Sequence, residues 1–399
     1  MTNRYLDDLH DYPFTKLAAL TADLEVTSNL PHIPLSLGEP KHPPPDFVLQ
    51  ALSDTELLAA SLASYPPTKG TDELRGAIAD WLVSRFTVKT SADTQILPVN
   101  GTREALFSFA QATLSDQSGL VLMPNPFYQI YEGAALLAGA HPVYINNDAE
   151  ADYQQDFTRL SEQQWQKTEL VYICSPGNPT GQLMPLEQMQ WLIEQSMKYD
   201  FVIASDECYS EIYLSDEAAP YSLLNAAHAM GNTDYKNCMV FHSLSKRSNL
   251  PGLRSGFVAG DADLIAKYLK YRTYHGCAMS PHHQTASVLA WQDETHVSAN
   301  RDLYREKFRR VAEVLADTFT IKDPQGGFYY WLPTPIDDRE FSRRLLAEYQ
   351  VTVLPGQFLA RPDEGGHNPG TNHVRVAWVA PLETCVEGAQ RLAEFTNSL

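Results

Sequence analysis

Lys246 lies in the run Ser243-Leu-Ser-Lys-Arg-Ser-Asn-Leu-Pro-Gly-Leu-Arg-Ser-Gly256, which sets one amine among hydroxyls, glycines and a second cation just after an apolar stretch. An amine so placed can form a Schiff base with an aldehyde. If that aldehyde also carries a phosphate, Ser243, Ser245 and Arg254 supply donors and a fixed positive charge for it. A lysine between serines is, taken alone, more often a solvated loop residue. Its company argues otherwise. The apolar run Leu170-Val-Tyr-Ile-Cys174 ends in Ser175-Pro-Gly-Asn-Pro-Thr-Gly181, and Phe201-Val-Ile-Ala-Ser205 ends in Asp206-Glu-Cys-Tyr209. Cys238-Met-Val-Phe-His242 leads into the lysine segment and Gly256-Phe-Val-Ala-Gly260 follows it. Short apolar runs alternating with helical patterns imply a parallel sheet, whose ligands gather outside the carboxyl ends of its strands. Asn178, Asp206, Tyr209 and Lys246 all fall at such ends.

In this order the residues resemble the pyridoxal-phosphate aminotransferases of fold type I, class I/II. The resemblance runs from Leu37-Gly-Glu-Pro40 through Tyr65, Asn100-Gly-Thr-Arg-Glu104 and Pro126-Phe-Tyr128 to Arg375. It implies an α/β fold, with a large domain built on a mostly parallel central sheet flanked by helices and a smaller α+β domain. It also implies pyridoxal 5'-phosphate as cofactor and a homodimer with shared active sites. Lys246 then carries the cofactor and moves the substrate proton, and since a free lysine has a pKa of about 10.4 the site must lower it. Desolvation and the charge of Arg254 are the available means. Asp206, three residues before Tyr209 as in the family's Asp-x-x-Tyr, matches the carboxylate that pairs with the pyridine nitrogen; a helix cap is the plain alternative. Tyr209 and Asn178 match donors to the phenolic oxygen of the cofactor, though Asn-Pro-Thr-Gly is also an ordinary turn.

For the phosphate, the turn Gly101-Thr102-Arg103 offers backbone N–H groups at a helix start, and Arg254 follows Lys246 at the family's spacing of eight. Phe127 matches the aromatic that stacks on the pyridine ring; Tyr128 competes for that place, and either could be core. Tyr65 matches a tyrosine that reaches the phosphate of the neighbouring subunit. Arg375 resembles the fork on the substrate α-carboxylate, and Gly38 belongs to an arm that closes over the substrate.

Four segments, among them Leu37-Gly-Glu-Pro-Lys-His-Pro43 and Tyr271-Arg-Thr-Tyr-His-Gly-Cys-Ala-Met-Ser280, look like the bacterial N-succinyl-diaminopimelate aminotransferases of lysine biosynthesis. That implies ping-pong exchange between N-succinyl-LL-2,6-diaminopimelate and 2-oxoglutarate. A distal carboxylate needs a cation, for which Lys41, Lys69, Arg247 and Arg272 are candidates. Aspartate or aromatic aminotransferases, and a cysteine-conjugate β-lyase on the same cofactor, are the alternatives.

Around these residues the chain must build a scaffold. Its 399 residues exceed one ordinary core, and the prolines up to Pro43-Pro-Pro45 read as an extended arm. The expected division is an arm at 1–47, a large cofactor-binding domain at 48–290 and a small domain at 291–399. Spacing predicts helices over 72–86, 104–114, 185–199 and 301–319. The formal charge of −19 argues against a nucleic-acid partner. No apolar run is long enough to span a membrane, and the start Met1-Thr-Asn-Arg-Tyr-Leu-Asp-Asp8 has no signal-like apolar core, so a cytoplasmic location is expected. Five separated cysteines without CxxC spacing read as thiols, and no metal site is expected.

Overall fold

The computed structural model describes residues 3–115, 118–149, 152–322, 324–363 and 365–399. A seven-stranded sheet runs in the order Ile96–Val99, Gly256–Gly260, Cys238–Ser243, Val202–Asp206, Thr168–Cys174, Leu120–Asn125, His141–Asn146. Gly256–Gly260 runs against both its neighbours, and all other pairings are parallel. The strands are apolar on both faces because both faces are covered. Ile96, Val171, Ile173, Ile203 and Val240 enter one core, while Leu97, Leu170, Tyr172, Ala204 and Met239 enter the other, the alternation a strand imposes.

Helices Asp72–Phe86 and Leu186–Tyr199 cover the first face; Thr102–Thr113, Ile130–Leu137 and Ala262–His275 cover the second. Asp72–Phe86 spans the stretch that its spacing predicts. Thr71 caps it by accepting from the Leu74 N–H, Leu74, Ile78, Trp81 and Leu82 are buried, and Thr87 ends it in the left-handed region.

A second, antiparallel sheet of Leu354–Pro355, His373–Ala377 and Tyr329–Pro333 packs with helices Thr295–Leu315, Asp338–Tyr349 and Leu382–Asn397. The N-terminal segment is tied to this part: Ile33–Pro34 pairs with Val351–Thr352, and Ile33 and Leu35 enter its core.

Two expectations need correction. The N-terminal stretch is not extended throughout, because Pro13–Thr21 is a helix. Its proline stands in the first turn, where no N–H is needed, and the eight helical residues that follow contain none. Leu17 anchors it against Trp331, Leu354 and Leu359. The long charged helix starts at Thr295 and ends at Leu315, earlier than 301–319 at both ends, because Val297 and Asn300 continue the buried face of Tyr304, Phe308 and Val311. Among the described residues no helix is long and apolar enough to cross a membrane. No group of three or more His, Cys, Asp or Glu could hold a metal there.

Candidate active site

Strand Cys238–Ser243 delivers Lys246 through one helical turn, Leu244–Arg247. Ser243 caps that turn by accepting from the Ser245 N–H at 3.1 Å. The amine projects into a cleft of about 400 Å³ between the two sheets. There it donates to the Gly38 carbonyl at 2.8 Å, and its pKa falls to about 8, first through burial and then through the charges of Arg375 and Arg254. A shift of this size leaves a sizeable share of free amine near neutrality.

Asp206 closes strand Val202–Asp206 on the same side. It is buried and accepts from Tyr131 Oη at 2.7 Å and from the Cys208 N–H at 3.2 Å. Burial raises its pKa, and these hydrogen bonds oppose the rise. A buried carboxylate held this way is best satisfied by a cation. Tyr209 Oη lies 3.0 Å from Tyr329 Oη. Asn178 accepts from Arg375 Nη1 at 3.0 Å, and Arg375 Nη2 donates to the Ser36 carbonyl at 2.9 Å. The Arg375 guanidinium sits 4.4 Å over the Tyr329 ring, and its buried Nε has no acceptor among the described residues.

Gly101 caps helix Thr102–Thr113 at φ 87°, and a Cβ there would meet Arg254 Nη2 at 2.3 Å. Only glycine lets Arg254 lie across this helix start, a combination of bare N–H groups and cation suited to a phosphate. Fourteen of the eighteen arginines are ion-paired. Among the described residues Arg4, Arg103, Arg254 and Arg375 have no carboxylate partner, and the last three line this one cleft. In a chain of charge −19, that gathers unspent positive charge where an anion would enter.

Residues 31–392 match the family described as aminotransferase class I and II. The chain belongs to that family. Among solved structures, an aminotransferase from Neisseria meningitidis Z2491 is 46% identical with a TM-score of 0.94, covering 99% of this chain and 100% of that one. Aminotransferase AspB from Helicobacter pylori 26695 is 33% identical with a TM-score of 0.90 over 98% and 100%. Among curated relatives, the LL-diaminopimelate aminotransferase of Aquifex aeolicus is 30% identical over 90% of both chains.

The family depends on pyridoxal phosphate, and the cleft of this aminotransferase fits it. A low-pKa amine, a buried carboxylate in want of a cation and the Gly101–Arg254 cradle converge there. Thr102, Arg103, Ser243 and Ser245 also line the cleft. The Arg103 side chain turns toward the cleft mouth, donating to Tyr128 Oη at 2.8 Å and Tyr12 Oη at 2.6 Å.

Four candidates, Phe127, Arg247, Arg272 and Lys69, do not line the cleft. Phe127 is a core residue, stacked on Tyr144 at 5.5 Å and lying under Arg361; Tyr128, its neighbour, lines the cleft instead. Arg247 is buried between Trp81 and Trp291 and paired with Glu294. Arg272 is buried with both oxygens of Glu104 at 2.7 and 2.8 Å. These two arginines pair with carboxylates and do not line the cleft. Lys69 pairs with Asp93 outside the cleft, whereas Lys41 pairs with Glu39, which lines it. Tyr65 is fully exposed and not in this chain's cleft. The sequence reading missed Tyr12, Tyr131 and Tyr329. Tyr329 stands in the aromatic run Gly326-Gly-Phe-Tyr-Tyr-Trp331, the one local feature of the sequence that marks it.

Proposed function

We propose that this aminotransferase exchanges the amino group between N-succinyl-LL-2,6-diaminopimelate and 2-oxoglutarate, acting in the cytoplasm as a homodimer. When bound, pyridoxal phosphate supplies an electron sink for the substrate's Cα. Lys246 would hold the cofactor aldehyde, and its amine would carry the proton from Cα. Asp206 would face the ring nitrogen and favour its protonated form, with Tyr131 fixing the carboxylate's orientation. Tyr209 and Asn178 would donate to the cofactor's phenolic oxygen, while the Gly101 turn, Ser243, Ser245 and Arg254 would hold its phosphate. Arg375 would take the α-carboxylate with its fork, and Tyr128 in the cleft lining would pack on the cofactor.

The observation that carries the substrate reading is the set of three arginines without carboxylate partners in one cleft. A phosphate uses Arg254 and an α-carboxylate uses Arg375. Arg103 is one cation more than a monocarboxylic amino acid needs. 2-Oxoglutarate brings one carboxylate beyond the α-carboxylate and the succinylated donor brings two, and burying one without a cation would cost several kcal/mol. The relatives named as LL-diaminopimelate aminotransferases support the same substrate skeleton. They also favour a second reading, free LL-diaminopimelate, and Glu39 in the lining is a carboxylate that could meet its distal ammonium.

Steady-state kinetics with 2-oxoglutarate and four donors decides: N-succinyl-LL-diaminopimelate, LL-diaminopimelate, aspartate and phenylalanine. The succinylated donor is expected to give the highest kcat/KM. A higher value for aspartate or phenylalanine ends the diaminopimelate reading, and a higher value for the free diamine replaces it with the second. Release of pyruvate and ammonia from cysteine conjugates without any keto acid would mark a lyase instead.

A further inference from the structure

A chain of buried polar contacts passes behind Lys246 and holds it at both ends. Lys307, on helix Thr295–Leu315, is 2% exposed and has no carboxylate partner among the described residues. Its Nζ lies 2.6 Å from His42 Nε2 and donates to the Val379 carbonyl at 3.3 Å. His42 packs on Tyr304 at 4.6 Å, and its Nδ1 is 2.8 Å from Asn300 Oδ1. Asn300 directs its amide nitrogen at the carbonyls of Lys246 and Arg247, at 3.3 and 3.4 Å, and its oxygen also accepts from Asn249 at 2.8 Å.

The donors and acceptors allow one assignment. The Asn300 amide nitrogen faces two carbonyls, so its oxygen is what faces His42, and His42 Nδ1 must carry the hydrogen. Nε2 of a neutral ring is then a lone pair, which an ammonium at Lys307 satisfies. A second proton on His42 would set two cations face to face. Burial keeps His42 neutral by lowering its pKa, and it lowers that of Lys307 to about 8, with Cys385 the nearby titratable group opposing the shift.

The path closes on itself. His42 stands four residues after Gly38, whose carbonyl receives the Lys246 amine. From Lys246 Nζ the contacts run through Gly38, along the arm to His42, across Asn300 and back to the Lys246 carbonyl. We propose that His42, Asn300 and Lys307 are positioning residues that set the Lys246 amine against the arm, with Lys307 fixing the His42 tautomer that this requires. None of the three lines the cleft. The inference rests on Lys246 being the cofactor-binding lysine.

Two substitutions at His42 separate the ring's two ends. His42→Asn keeps a donor near the Nδ1 position for Asn300, while His42→Gln keeps an acceptor near the Nε2 position for Lys307 and loses the Asn300 donor. Three readouts apply: kcat, the pH midpoint of the bound cofactor's absorbance change, which reports the proton on the Lys246 nitrogen, and the melting temperature. In His42→Gln, kcat is expected to fall by about tenfold, within the range for a slightly misplaced catalytic group, and the absorbance midpoint to move. His42→Asn is expected to stay near wild type in both. If both variants retain the wild-type kcat and midpoint, or if both lose melting temperature alike with an unmoved midpoint, the proposal is overturned. Borohydride trapping of the wild-type cofactor on a lysine other than Lys246 would overturn both this inference and the reading beneath it.

Discussion

At position 246 the amine is poised because burial and two neighbouring arginines disfavour its charged form, bringing its pKa to about 8. Only the uncharged amine attacks an aldehyde, so the rate at which cofactor-free protein recaptures pyridoxal phosphate should rise with pH and level off above about 8. An ordinary lysine would not level off until about pH 10.4. Stopped-flow absorbance against pH reads this directly, and a rise that continues to pH 10 would mean that Lys246 is not depressed. Lys246→Ala should fold and still hold the cofactor without a bond to it, and borohydride reduction of the wild type should place the pyridoxyl group on Lys246 alone. Asp206→Ala should lose on the order of a hundredfold or more in turnover while retaining part of its cofactor affinity, because the charge opposite the ring nitrogen is removed and the phosphate cradle is not. Near-normal turnover in that variant would exclude the electron-sink role.

Elements decide how these groups meet, and here the sequence was readable to different depths. Apolar runs ending in Asn178, Asp206 and Lys246 were visible because parallel strands are apolar on both faces and end where ligands bind. Arg247 and Arg272 looked the same as Arg103 in sequence. What separates them is whether a carboxylate or tryptophan from a distant segment reaches them, which no local pattern carries. Phe127 and Tyr128 were indistinguishable for a similar reason, since consecutive residues leave the backbone in opposite directions and only the packing of Tyr144 and Arg361 settles which one enters the core. The arm supplies the sharpest test at this scale. A Cβ at Gly38 would fall 1.8 Å from Tyr329 Oη, whereas one at Gly252 meets nothing within 4 Å. Gly38→Ala should therefore displace the arm, lowering kcat/KM by roughly tenfold or more with little loss of cofactor, and Gly252→Ala should match wild type. Equal kinetics in the two variants would mean that the arm does not need its observed contact with the Tyr329 ring.

For the molecule as a whole, the homodimer proposed above would give exposed apolar groups a place to be buried. Tyr65 is fully exposed, and Leu62 and Tyr274 are 75% and 86% exposed. Leaving such groups in water forgoes burial that association would recover, and a tyrosine offers both apolar area and a hydroxyl to a partner. The resemblance at Tyr-Pro-Pro-Thr-Lys-Gly70 gives Tyr65 a destination, the phosphate site of a second copy. If so, Tyr65→Phe and Lys246→Ala disable different parts of a shared site. Each variant alone should form dimers in which both sites are defective. A hybrid of the two has one site with intact Lys246 and a donated Tyr65, and one site lacking both. Mixing the inactive Lys246→Ala protein with Tyr65→Phe under conditions that exchange subunits should therefore raise activity above the sum of the unmixed proteins, toward a quarter of wild type at equal amounts if association is random. Sedimentation of the same mixtures shows whether dimers are present. Full activity in a protein that sediments as a monomer, or activity in the mixture equal to that of its separate components after proven exchange, would place Tyr65 outside the active site.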